Sequence, residues 1–137
     1  MSCLFCSIVH KEKSAHSIYE DDAVVAMLDI FPCAPGHTLV VPKRHMETIL
    51  EMKTEEMQPF WSGVNKTMQI LQETVKPSGF TIGINHGKVS GQAVEHLHIH
   101  IIPRYEGDGG GSIHSVVKNP GTQSVGEVYE KIVSSNK

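Results

Sequence analysis

Residues 95–104 read EHLHIHIIPR, which sets three histidines, His96, His98 and His100, two residues apart. In a strand, alternate residues share a face, so the three imidazoles project one way and Leu97, Ile99 and Ile101 project into a core. The isoleucines favour a strand, and Pro103 predicts that it ends near Ile102. A strand rise of about 3.3 Å per residue puts same-face neighbours roughly 6–7 Å apart. Three unpaired buried imidazoles would be costly as plain packing. Such a row fits a solvated sheet face, a metal site using two or three of the rings, or a catalytic face.

The preceding loop favours catalysis. Residues 85–100 read NHGKVSGQAVEHLHIH. Gly87 and Gly91 permit tight backbone conformations and close approach of a ligand. Asn85 and Gln92 offer uncharged amide donors, and glycine N–H groups beside imidazoles make a cradle for phosphate oxygens. A neutral imidazole is a competent nucleophile toward phosphorus. Its attacking nitrogen must be unprotonated, so its other nitrogen should donate to a carbonyl or similar partner. A neighbouring histidine can then donate to a phosphoryl oxygen as charge builds.

Several elements must position this face. Residues 16–30 read as two strands around Glu20-Asp21-Asp22, and residues 31–36, FPCAPG, as a turn. Residues 37–42 predict a third strand ended by Pro42, and residues 80–85 a fourth. Residues 3–12 predict a short helix with Leu4, Phe5 and Ile8 on one side. The long helix is expected near residues 54–75, with Thr54 as N-cap. Its core stripe would be Met57, Phe60, Trp61, Val64, Met68, Leu71 and Val75. From Gly107 the chain reads as a loop-rich tail to residue 137. The expectation is one α+β domain over residues 1–137, dominated by antiparallel pairing.

Composition narrows the function classes. Twelve basic and fifteen acidic residues give a formal charge of −3. That argues against binding a nucleic acid polymer, which normally needs a basic patch. No stretch approaches the ~20 apolar residues of a membrane span, so no membrane partner is expected. Three cysteines, two of them as Cys3-x-x-Cys6, do not make a secreted disulfide framework and point to a reducing, cytoplasmic setting.

HLHIHII fits the histidine triad (HIT) pattern. Together with residues 19–45, YEDDAVVAMLDIFPCAPGHTLVVPKRH, and residues 91–104, GQAVEHLHIHIIPR, it resembles the branch of that family that cleaves nucleoside phosphoramidates. The resemblance implies a HIT-like α+β fold. Its five-stranded antiparallel sheet carries one long helix and a short N-terminal helix. It also implies a homodimer joining two sheets. His98 matches the nucleophile that attacks the α-phosphate, forming a nucleotidyl-histidine that water hydrolyses. His100 matches the phosphate-contacting histidine and His96 the supporting one. Asp29 matches the carboxylate on the ribose hydroxyls, and Asn85 and Gln92 match polar residues around the phosphate and leaving group. Phe5, Ile8 and Ile30 fall where the family packs a purine. His37 matches another recurrent histidine near the triad; a plain strand-start role is the other reading. Ala93 departs from the pattern, because many relatives carry a hydroxyl residue there.

Cys3-x-x-Cys6 read by itself fits a zinc site, free thiols or a redox pair; no strand precedes it, which disfavours the last. Bacterial relatives combine such a pair with the histidine of PKxH and the first triad histidine, which match Cys3, Cys6, His45 and His96. The resemblance therefore implies a closed, structural zinc site and no organic cofactor. The expected activity is hydrolysis of purine nucleoside phosphoramidates, such as adenosine 5'-monophosphoramidate. Dinucleoside polyphosphate hydrolysis and a zinc-binding regulatory protein without catalysis are the alternatives.

Overall fold

The computed structural model describes residues 3–136. Asp21 makes the first turn: its Oδ1 accepts from the backbone N–H groups of Ala23 and Val24 at 2.8 and 2.9 Å. This joins β1 (Ser17–Glu20) to β2 (Val24–Leu28) as an antiparallel hairpin. β3 (Thr38–Pro42), β4 (Gly79–Gly83) and β5 (Ile99–Arg104) complete a five-stranded sheet in the order β1-β2-β3-β5-β4, with every neighbouring pair antiparallel. The helices are α1 (Leu4–Val9), α2 (Thr54–Thr74) and α3 (Val125–Ser135). The expected α+β architecture is therefore the one observed.

Strand alternation decides what covers each face. Val24, Ala26, Val40, Ile99 and Ile101 point to α2 and meet Phe60, Val64 and Leu71. Val25, Met27, Leu39 and Val41 point the other way and meet Phe5 and Ile8 of α1. The histidines share that second side of the sheet. Phe5 lies edge-on to both His96 and His98, with ring centroids 5.8 and 5.1 Å away.

Five sequence expectations are corrected. α2 begins at Thr54 itself, with Lys53 as N-cap; the Glu56 carboxylate accepts from the Lys53 N–H at 2.9 Å. Met57, Trp61 and Val75 are exposed, so the buried stripe is narrower. β5 starts at Ile99, leaving His96 and His98 on its approach. Its register pairs Val40 with Ile99, which would put Pro42 opposite Leu97, and proline has no N–H to continue the ladder. Leu97 instead donates to the Met46 carbonyl at 2.7 Å. β5 also runs through Pro103 to Arg104, because β3 pairs only residues 99–101 and leaves that side of the strand free. Finally, the tail contains α3, capped reciprocally: Ser124 Oγ accepts from the Glu127 N–H at 3.1 Å, and Glu127 Oε1 accepts from the Ser124 N–H at 2.8 Å.

Gly63 sets the approach of α2 to β2. A Cβ there would lie 2.5 Å from Val24 Cγ2, and Val24 is fully buried. Overpacking of this kind costs about 1–3 kcal/mol, against about 1 kcal/mol gained from helix propensity. Gly63→Ala is expected to lower the midpoint of urea unfolding; an unchanged or raised midpoint would mean that the helix can shift freely.

Candidate active site

His98 is buried beside Phe5, and its Nδ1 lies 2.8 Å from the carbonyl oxygen of His96. A carbonyl only accepts, so Nδ1 carries the proton. In a neutral ring this leaves the Nε2 lone pair free. His98 and His100 line a cavity of about 340 Å³ whose apolar wall includes Phe5, Ile8, Met27 and Leu39. Asp29, Ile30 and Asn85 line the same cavity.

The proton on His100 is set from the opposite side. The Cys33 N–H donates to His37 Nδ1 at 3.0 Å. A neutral His37 must then carry its proton on Nε2, which faces His100 Nδ1 at 3.0 Å and Asp29 Oδ2 at 3.4 Å. With His100 Nδ1 accepting, its proton sits on Nε2. That Nε2 is buried and has no partner among the described residues. A buried donor without a partner costs about 1–3 kcal/mol, which an incoming acceptor would relieve. Asp29 Oδ1 accepts from the Phe31 N–H at 2.8 Å, which fixes the carboxylate beside the histidines. His37 thus belongs to the site's wiring, although only its match to a recurrent family histidine marks it in the sequence.

Burial disfavours the charged form of His37, His96 and His100. Burial, then repulsion by His98 and His37, lowers the His100 pKa to about 4, with Asp29 opposing. Burial also lowers His37 and His96. An unfolded chain takes up protons at these rings from about pH 6.5, while the folded chain resists protonation. Stability is therefore full above pH ~6.5 and declines as the pH falls toward ~4. The carboxylates Glu56 and Asp108, held low mainly by Arg44 and Arg104, add a loss only below their unfolded range of about 4–4.5. Thermal unfolding at fixed ionic strength should show a midpoint already falling between about pH 6.5 and 5. A flat midpoint across that window would remove the neutral-histidine assignment.

Gln92 goes elsewhere. Its Oε1 accepts from the Gly87 N–H at 2.8 Å, and its Nε2 donates to the carbonyls of Glu47 and Val94 at 2.8 and 3.1 Å. Both amide protons are committed to holding the loop, and Gly87, at φ 85°, takes the backbone conformation that favours glycine. His96 is likewise absent from the cavity wall. Its Nε2 donates to the Pro42 carbonyl at 2.8 Å, which leaves Nδ1 unprotonated and turned to the N-terminal cysteines.

There a second cluster forms. His96 Nδ1 lies 3.4 Å from Cys3 Sγ, 3.6 Å from Cys6 Sγ and 3.1 Å from His45 Nδ1, and Cys6 Sγ lies 3.2 Å from His45 Nδ1. Tetrahedral zinc with bonds of about 2.0–2.3 Å spaces its ligand atoms roughly 3.3–3.8 Å apart. The four residues could hold a metal ion. The Pro42 carbonyl supplies the outer hydrogen bond that orients a ligating histidine. Burial, and then Cys3, push the Cys6 thiol up to about 11, so a cation is what would make that sulfur a thiolate at neutral pH. Asp29, His37 and His100 also lie within ligand distance of one another. The Cys33 bond, however, leaves a proton on His37 Nε2, the atom that would have to ligate.

A family model described as "HIT domain" matches residues 10–107. An uncharacterized HIT-like protein of Methanocaldococcus jannaschii is 50% identical over 107 residues, covering 78% of this chain and 82% of that protein. The adenylylsulfatase HINT3 of Arabidopsis thaliana is 35% identical over 106 residues, covering 77% of this chain and 54% of that protein. The crystal structure of a HIT family protein from Bacillus anthracis superposes with a TM-score of 0.84 at 35% identity, covering 98% of this chain and 94% of that one.

Proposed function

The chain belongs to the HIT domain family, and from that premise we propose that it is a nucleotide hydrolase acting on purine nucleoside phosphoramidates. The observation that carries the reading is His98, whose bond to the His96 carbonyl leaves Nε2 unprotonated on a residue lining the cavity. His98 Nε2 attacks the α-phosphorus, and the P–N bond breaks as its nitrogen takes a proton from solvent, so that the leaving group departs as the neutral amine. Water then attacks the nucleotidyl-histidine and returns the histidine and a nucleoside monophosphate. His100 Nε2–H, which has no partner among the described residues, donates to an oxygen of the phosphoryl group as charge develops.

Binding follows from the remaining lining residues. Phe5 and Ile8 form the apolar wall for the purine, and Ile30, 73% exposed at the cavity, is covered when the base enters. Asn85 contacts the phosphate region, while Gln92 acts by holding the loop. Each carboxylate oxygen has two acceptor sites, so Asp29 retains capacity for the ribose diol beside its bond to Phe31. The Cys3, Cys6, His45 and His96 cluster holds zinc as a closed structural site, which pins α1 to the sheet and so supports Phe5. The three free cysteines fit a reducing, cytoplasmic setting. Among the described residues no helix is long and apolar enough to cross a membrane. The family resemblance further supports a homodimer.

Two displacements at phosphorus give overall retention of configuration at the α-phosphate, and a chirally labelled substrate tests this; inversion would rule out a single covalent intermediate. Ribonucleotides should be preferred over 2′-deoxynucleotides by roughly ten- to a hundredfold in kcat/KM, the worth of one hydrogen bond to a charged acceptor. Asp29→Ala should erase the preference. Equal rates on both sugars in the unsubstituted protein would take Asp29 out of the ribose site.

The adenylylsulfatase relative supports a second reading with the same nucleophile and a sulfate leaving group. Ala93, which lines the cavity, offers no hydroxyl to select the departing group. Initial rates on adenosine phosphoramidate, adenylyl sulfate and a dinucleoside polyphosphate separate the substrates. Failure on all three with intact nucleotide and metal binding would favour a regulatory, non-catalytic protein.

A further inference from the structure

His96 belongs to two sites at once. Its ring completes the Cys/His cluster, and its carbonyl holds the proton of His98. That carbonyl and the Leu97 N–H are the two ends of one peptide group, which is planar and turns as a unit. The N–H end donates to the Met46 carbonyl at 2.7 Å, and Met46 follows His45, another member of the cluster. The 96–97 peptide is therefore clamped by His96 on one side and by the residue after His45 on the other. Its oxygen cannot rotate unless the Leu97–Met46 bond and the bond from His96 Nε2 to Pro42 yield.

The cluster reaches His98 by a second path. Phe5 lies between Cys3 and Cys6 in the chain and touches the rings of both His96 and His98 edge-on. Among the groups drawn together, His96 Nδ1 has a lone pair only, and thiols are weak donors. A cation binding all four residues would hold them far more firmly than these contacts do.

We propose that metal loading of the Cys3, Cys6, His45 and His96 cluster sets the 96–97 peptide and Phe5, and through them the ring of His98, so that His96 is a positioning residue for the reacting imidazole. The inference rests on the readings of His98 as nucleophile and of the cluster as a metal site. It adds that the two sites are energetically linked. With the metal bound, His98 is held as the single tautomer that leaves Nε2 free. With the metal removed, the carbonyl loses one of its anchors and His98 samples other orientations.

The test follows the ring nitrogens of histidine-labelled protein by 15N NMR, zinc-loaded and then chelator-stripped, with the amide spectrum reporting the fold. The loaded protein should show His98 protonated at Nδ1 only. The stripped, folded protein should show averaged or broadened His98 nitrogens, together with covalent nucleotidylation slowed roughly ten- to a hundredfold, the usual effect of losing an outer-shell partner. A reciprocal measurement uses the loaded protein and needs no stable stripped form. Because Phe5 is set by the cluster and also lines the cavity, a saturating purine nucleoside monophosphate should alter zinc affinity against a competing chelator by the factor by which zinc alters nucleotide affinity. Zinc uptake with identical His98 nitrogens on stripping, or zinc affinity indifferent to the nucleotide, would overturn the linkage while leaving the metal site and nucleophile in place. No zinc uptake at all would overturn the linkage and the metal reading together.

Discussion

His98→Ala is expected to lower turnover by at least roughly 10³-fold, because it removes the atom that forms the covalent bond. Nucleotide affinity should change little. The base wall of Phe5 and Ile8, Asp29 and the His100 donor remain, and His98 contributes one ring among the many groups that line the cavity. Two measurements separate chemistry from binding. Titration with a purine nucleoside monophosphate reports affinity, and mass spectrometry under alkaline quench reports the nucleotidyl-protein, since a P–N bond to histidine is acid-labile. The unsubstituted protein should accumulate or transiently show the adduct, and His98→Ala should show none. A variant that keeps more than about a tenth of the activity would remove His98 as nucleophile, because losing a covalent nucleophile is never that mild.

The sequence marks His98 by residue type and spacing, whereas the bond that places its proton is a tertiary contact. Spacing of two along residues 96–100 correctly placed Leu97, Ile99 and Ile101 in the core. It could not show that Pro42 interrupts the ladder. Past that point the Leu97 N–H turns to the Met46 carbonyl, and the Pro42 carbonyl takes the His96 ring. A proline's missing donor acts across strands, and the register needed to see it is a tertiary property. Gln92 illustrates the same limit: an amide beside glycines suggests a ligand contact, yet both its amide protons go to the Glu47 and Val94 carbonyls and its oxygen accepts from Gly87. The α2 stripe was too broad for a related reason. Periodicity marks every apolar position at helical spacing, whereas the flat sheet covers only the residues on one side, so Met57 and Trp61 stay exposed. α3 did carry a local signal, the Ser124-x-x-Glu127 capping box, which the glycine-rich run before it obscured. Met27 and Leu39 were missed as cavity walls although the strand alternation opposite the α2 face marks them.

His100→Ala should cost roughly 10²–10³-fold in kcat, the range for removing one preorganised donor from a developing oxyanion. The nucleophile survives in this variant, so a nucleotidyl-protein should still form, slowly. That outcome distinguishes His100 from His98, whose loss abolishes the adduct. The donor role rests on a chain of forced choices: the Cys33 N–H protonates nothing but fixes His37 Nδ1 as acceptor, which puts protons on His37 Nε2 and then on His100 Nε2. Because the His100 pKa is lowered to about 4, the donor is a neutral ring at pH 7, and its contribution should persist as the pH rises above neutrality. A charged His100 would instead lose activity as it deprotonated near its ordinary value of about 6.5. His100→Gln, which keeps an N–H donor without a titrating group, should lose less than His100→Ala. Equal rates for the two variants would show that His100 acts through its shape and not its proton. A rate that falls between about pH 6 and 7 in the parent but not in His100→Gln would show that the ring works as the imidazolium.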